Sequence, residues 1–142
     1  PQKGKLVYET NCLQCHGANG EGQLANHKDS THFIYPPLWG ENSYNTSAGL
    51  NRIQKLSGFI YDNMPNKLAT HEKPILTEEE AWHVAAYIIS KPRPEKFFIE
   101  DWPDSKTKPI DYAFGPFADS FSEKQHKYGP FQPIVDFRIN QH

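Results

Sequence analysis

Residues 9–22 read ETNCLQCHGANGEG and hold both cysteines of the 142-residue chain. Two residues separate Cys12 from Cys15, and His16 follows at once. A structural disulfide across so short a loop gains little, because the entropy it removes from the unfolded chain grows with loop length. A redox pair of the thioredoxin kind sits near a strand–helix–strand unit, whereas the upstream PQKGKLVYETN lacks strand alternation. A structural zinc site takes four ligands, often as two pairs, and the sequence has no second cysteine pair. The remaining reading uses all three residues: C-x-x-C-H is the attachment motif of a c-type haem. Cys12 and Cys15 then form thioethers to the porphyrin, and His16 supplies the proximal nitrogen to iron.

The flanks agree with that reading. GKLVYETNCLQCH reads as a helix over residues 3–16 that runs into the motif. Gly4, Tyr8 and Cys12 recur every four residues and share one helical face. Gly17, Gly20 and Gly22 end the helix and let the backbone loop close to the porphyrin edge.

A haem iron takes a second axial ligand or keeps that position open. The single methionine, Met64, lies in GFIYDNMPNK. An isolated methionine commonly fills a core, but three features favour ligation here. The chain between His16 and Met64 is long enough to reach the opposite haem face. Pro65 biases Met64 to an extended backbone and ends the preceding helix. Asn63 and Asn66 suit a loop. His71, His27 and His32 are the competing ligands. His83 falls inside a helix as a surface or packing residue, and His126 and His142 lie in the C-terminal tail. A His/Met iron has no vacant position for substrate, and thioether ligation raises its potential. Outer-sphere transfer of one electron is the expected chemistry.

Residues 17–47 read mostly as loop. They contain YPPLWG at 35–40, where Pro36 and Pro37 make a stiff turn and Trp39 is large enough to wall a cofactor. A helix is expected near 48–62, with Leu50, Ile53, Leu56 and Ile60 on its buried side and Gly58 as a possible break. KLATHEKPIL connects it to a last helix, LTEEEAWHVAAYIISK. Thr77 and Glu80 fit a capping box there, and three glutamates suit the positive end of the helix dipole. Ala81, Val84, Ala85 and Ile88 form an apolar stripe expected to meet the Gly4/Tyr8 face, with Tyr87 beside the crossing.

Residues 91–142 differ in kind. They hold seven of the twelve prolines and seven of the nine phenylalanines, without a sustained helical or strand period. A disordered tail is poor in aromatics, so this stretch is expected to be ordered and irregular, wrapping the preceding domain or docking a partner. SEKQHKYG at 122–129 suits one short helical turn.

The net charge of −2 argues against a nucleic-acid protein. No apolar run reaches the roughly 18–20 residues that span a bilayer. A start at Pro1 fits a mature chain whose export signal has been removed.

G-x-x-x-Y before C-x-x-C-H, a late M-P and a terminal A-A-Y-I helix resemble a class I cytochrome c over residues 1–90. PPLWGENSYN, AGLNRIQKLSGFIYDNMP and LTEEEAWHVAAYIISKPRP are more closely similar to a haem domain of the thiosulfate dehydrogenase family. The resemblance implies an all-α class I fold, three to four helices around one covalent haem c, with the 91–142 extension added. It places Cys12, Cys15, His16 and Met64 on the attachment and ligand positions; Pro37 and Trp39 are further expected cofactor contacts, read from the YPPLWG stretch itself. In that family, dihaem cytochromes oxidise thiosulfate to tetrathionate at one haem, and a second haem domain passes electrons on. The likeness is to the electron-exit domain. Catalysis there uses an unusual cysteine ligand on the other haem, and this sequence has no third cysteine. The expectation is therefore an electron carrier or electron-transfer subunit rather than an enzyme. Its partners would be redox proteins, including a larger sulfur-oxidising subunit, and its compartment the periplasm, where bacteria attach haem c. The alternative is a thiosulfate dehydrogenase-type oxidoreductase acting at this haem or with a partner subunit.

Overall fold

The computed structural model describes residues 2–26, 29–96 and 102–141. The chain opens with α1 (Gln2–Asn11) and α2 (Leu13–His16). The expected single helix over 3–16 is resolved into two pieces at Cys12, whose φ of −120° leaves the helical region. Cys15 N–H then bonds the Cys12 carbonyl at 3.1 Å and His16 N–H bonds it at 2.9 Å, so the tightened turn continues in the same direction.

The next stretch is not all loop. β1 (Gln23–Asn26) and β2 (Asp29–Tyr35) form an antiparallel hairpin with irregular register. β1 is too short for alternation to be read in sequence, although the Phe33–Tyr35 run has good strand formers.

A 3₁₀ turn (Gly49–Asn51) precedes α3 (Ile53–Asn63). Ile53, Leu56 and Ile60 are buried as expected, but Leu50 is 36% exposed. Arg52 is extended (φ −100°, ψ 127°), which breaks the helical phase between Leu50 and α3. Gly58 does not interrupt the helix.

α4 (Glu78–Ile89) starts with the expected capping box. Thr77 Oγ1 accepts from Glu80 N–H at 3.1 Å, and Thr77 N–H donates to Glu80 Oε2 at 2.9 Å. Its Ala81, Val84, Ala85 and Ile88 join Tyr8, Trp39, Ile53, Leu56 and Ile60 in one core. α1 crosses α4 at Gly4, where a Cβ would fall on the His83 carbonyl oxygen.

After a 3₁₀ turn (Ser105–Thr107) come α5 (Glu123–Tyr128) and α6 (Gln132–Ile139). α5 lies where a helical turn is expected. α6 is additional; Pro133 in its first turn suits a helix start, and Ile134 is fully buried. Phe131 meets Trp82 of α4 edge-on at 6.1 Å.

Candidate haem site

Cys12 caps the short helical turn that ends at His16, Cys15 lies within it, and the two form no disulfide. Burial, and then the neighbouring Cys15, push the Cys12 thiol up to about 11. It therefore stays protonated at neutral pH, unlike the lowered thiol of a redox-active pair. Among the described residues, no cluster of three or more His, Cys, Asp or Glu could hold a metal ion.

His16 is buried, and its Nδ1–H donates to the Pro36 carbonyl oxygen at 2.9 Å. A carbonyl only accepts, so the proton sits on Nδ1 and the Nε2 lone pair is left for a metal. Ligating histidines are commonly oriented by such a bond. The donor set fits haem c: two thiols one helical turn apart, and an imidazole with its tautomer fixed.

Three glycines shape the loop behind the motif, each at positive φ: Gly17 (82°), Gly20 (62°) and Gly22 (73°). Gly20 lies flat on the Trp39 indole, and a Cβ at Gly22 would meet Pro36 and Pro37 backbone. Gly22 N–H returns to the His16 carbonyl at 2.9 Å, and Leu38 N–H bonds Gly20 O at 2.8 Å. Pro37 is buried in this crossing. Trp39 packs against Tyr8 (5.0 Å) and Tyr87 (5.9 Å), so it supports the loop from the core side.

Met64 stands one residue beyond α3. Its backbone is extended (φ −118°, ψ 141°) and its N–H bonds the Ile60 carbonyl at 2.9 Å. Its side chain is half-buried against the core that also receives Cys12. The other histidines are placed as follows. His71 is exposed and bonds Asp62 at 2.8 Å, and His83 bonds Glu79 at 3.2 Å. His32 is exposed on β2. His126 is fully buried with both ring nitrogens bonded. His27 and His142 lie outside the described residues.

Sequence reasoning did not single out the wall beside α3. A cavity of about 460 Å³ is lined by Tyr44, Ala48, Gly49, Leu50, Arg52, Lys55 and Phe59. Its lining is largely apolar, with the cations Arg52 and Lys55 and the Tyr44 phenol among it. Neither His16 nor Met64 is among its described lining residues; the link is α3, which carries the cavity wall on one side and ends at Met64. The Tyr44 hydroxyl is buried, and among the described residues no group meets it at good hydrogen-bond geometry. Burial raises its pKa, while Arg93, whose guanidinium lies 4.3 Å from the ring centre, acts the other way through its charge. Gly58, on the same side of α3, has no atom within 4 Å of a Cβ position. Glycine costs a helix about 1 kcal/mol relative to alanine, and no protein neighbour here requires it.

The cytochrome c family profile matches residues 1–91. The chain belongs to the cytochrome c family, with the largely helical class I fold and the covalent haem c that the family implies. It is 43% identical over 91 residues to the thiosulfate dehydrogenase of Allochromatium vinosum, covering 64% of this chain and 31% of that protein. The thiosulfate dehydrogenase of Stutzerimonas stutzeri is 41% identical over 93 residues, covering 66% and 28%. A solved thiosulfate dehydrogenase (TsdBA) from Marichromatium purpuratum, in its "as isolated" form, superposes with a TM-score of 0.60 at 38% identity. That match covers 79% of this chain and 23% of the other. The chain spans less than a third of the length of these relatives. Among the described residues, no helix is long and apolar enough to cross a membrane.

Proposed function

We propose that this chain carries single electrons through one haem c, tethered by Cys12 and Cys15 and ligated by His16 and Met64. The observation that carries the reading is the His16 Nδ1–Pro36 contact at 2.9 Å, which presents Nε2 within a C-x-x-C-H turn. When bound, the haem supplies a one-electron couple at a saturated iron. The chain's own residues hold and shield it. Pro37 and Trp39 back the attachment loop, α3 and Pro65 fix the approach of Met64, and Tyr44, Arg52 and Lys55 face the acidic edge.

We assign residues 1–90 to the haem domain and 91–142 to an extension that wraps it or docks a partner. The similarity to thiosulfate dehydrogenases supports a carrier in sulfur-compound oxidation, and our reading makes it a redox partner or electron-transfer subunit of a larger exported enzyme in the periplasm. Oxidation of thiosulfate at this haem is the competing reading, favoured by the names of its relatives. It requires an exchangeable sixth position.

The absorption spectrum of the oxidised protein separates the two. Electron carriage predicts a Met-to-iron charge-transfer band that Met64→Ala abolishes. A high-spin wild-type spectrum, or a band that survives Met64→Ala, would overturn the ligand assignment. Cys12→Ala should shift the pyridine haemochrome to that of a single thioether, and an unshifted spectrum would refute attachment at Cys12.

A further inference from the structure

Arg52 lines the cavity beside α3, yet its partner comes from the far end of the chain. Its Nε–H donates to Asp111 Oδ1 at 2.8 Å, and Nη2 lies 2.7 Å from the same oxygen. Asp111 has no exposed surface, whereas the Arg52 side chain keeps 22%. The other carboxylate oxygen accepts the Gln54 N–H at 3.3 Å. Arg52, the residue before α3, gives the helix no side-chain cap of its own. Asp111 thus supplies from the extension the negative charge that a helix N-terminus favours. It also fixes the guanidinium at the cavity wall.

A buried carboxylate with no exposed surface tends to be neutralised by protonation or by a partner. Here the partner also belongs to the cavity that the proposed function gives to the haem edge. Charge near a haem shifts its couple, because a cation disfavours the more positive ferric state. The family match ends at residue 91, so Asp111 lies in the part of the chain it does not cover.

We infer that the C-terminal extension sets the potential of the redox centre through one ion pair: Asp111 compensates the Arg52 charge at the cavity wall. Asp111 is a positioning residue, acting through Arg52. The inference rests on the haem occupying the site proposed above.

The test is the midpoint potential of full-length holoprotein, measured on variants whose axial-ligand spectrum matches wild type. Asp111→Asn leaves the Arg52 cation uncompensated and should shift the potential upward. Arg52→Gln leaves the carboxylate uncompensated and should shift it downward. The double variant should return close to wild type. Packing damage alone does not give opposite shifts that cancel. Equal potentials in all four proteins, or single shifts of the same sign, overturn the inference. If Asp111→Asn yields no holoprotein, Arg52→Lys decides. Retained charge predicts a smaller shift than Arg52→Gln, and a shift as large counts against it. A wild-type protein without thioether-bound haem would instead bring down the proposed function itself, and the pyridine haemochrome reports that separately.

Discussion

Gly4 of α1 lies directly against the carbonyl oxygen of His83 in α4, with the Tyr87 Cβ crowding the same place a Cβ would take. Two backbones approach this closely only where one residue lacks a side chain. Gly4→Ala must therefore separate the helices that close the core over Tyr8. Overpacking of this kind costs about 1–3 kcal/mol. Gly115, where a Cβ would make only ordinary contacts with Phe117 at 3.7 Å, is the control. Urea unfolding should show a clear loss for Gly4→Ala and little change for Gly115→Ala. Equal effects would mean that the crossing does not depend on the missing Cβ.

One turn further along α1, the Tyr8 hydroxyl donates to the Gly17 carbonyl at 2.7 Å and ties the first helix to the loop behind the C-x-x-C-H turn. Tyr8→Phe removes that bond and should cost about 1 kcal/mol at neutral pH. Burial, then the charges of Cys12, Glu21 and Tyr87, hold the Tyr8 pKa well above the ordinary tyrosine value. A folded-state pKa raised in this way contributes stability that is whole below the unfolded value of about 10. It is lost as pH rises from there through the folded value. Wild type should therefore lose stability above about pH 10, and the gap to Tyr8→Phe should narrow there. A gap that stays constant into alkali would refute the protonated, buried hydroxyl.

The parts legible in the sequence are those written in residue type and spacing. The Gly4–Tyr8–Cys12 repeat marks the face of α1 that packs inward, and the Thr77/Glu80 capping box marks the start of α4. The Pro36 carbonyl that orients His16 is invisible in sequence, because every residue carries a carbonyl and only the fold selects one. Leu50 misleads because the extended Arg52 resets the helical phase after it. The Arg52–Asp111 pair spans a separation that no local period encodes, and β1 is too short to show alternation. Contacts written in residue type and spacing were legible, the α1–α4 crossing among them, and partners chosen by the returning backbone were not.

Outside the core, Glu79 of α4 joins the same two helices. Its Oε1 accepts from His83 Nε2 at 3.2 Å and from Lys3 Nζ at 3.4 Å. The His83 hydrogen bond first, and then Lys3, hold the Glu79 carboxyl below its usual range. A lowered folded-state pKa contributes stability above the unfolded value, and that stability is lost as pH falls through the folded one. Glu79→Gln should lower Tm slightly near about pH 6–7, and the difference should shrink as pH falls through the acid range and the carboxyl is protonated. The difference should also shrink with added salt, because the site is exposed. A Tm difference that persists in acid would show that the glutamine acts by another route.

His126 in α5 closes the extension on itself. Its ring stacks on Phe117 at 3.7 Å, Nδ1 lies 2.7 Å from the Ile110 carbonyl oxygen, and Nε2 lies 2.9 Å from Asp119 Oδ1. The carbonyl can only accept, so Nδ1 must donate to it, and Nε2 is hydrogen-bonded to the Asp119 carboxyl. Both side chains are buried, at 0% and 1% exposure. Losing half of such a pair costs up to roughly 3–5 kcal/mol. His126→Phe keeps the stack and leaves the Asp119 carboxylate with the Phe121 N–H at 3.1 Å and the Arg138 guanidinium at 4.0 Å as its remaining partners. If residues 91–142 are an extension added to a self-sufficient haem domain, amide exchange should accelerate across Ser105–Thr107, α5 and α6. α1, α3 and α4 should keep their protection, and the haem absorption should not change. His126→Phe combined with Asp119→Leu should recover most of the loss, because no buried carboxylate short of a partner then remains. Equal acceleration in α3 and α4 would show one cooperative unit, with the Arg52–Asp111 and Trp82–Phe131 contacts making the extension part of the haem domain's own fold.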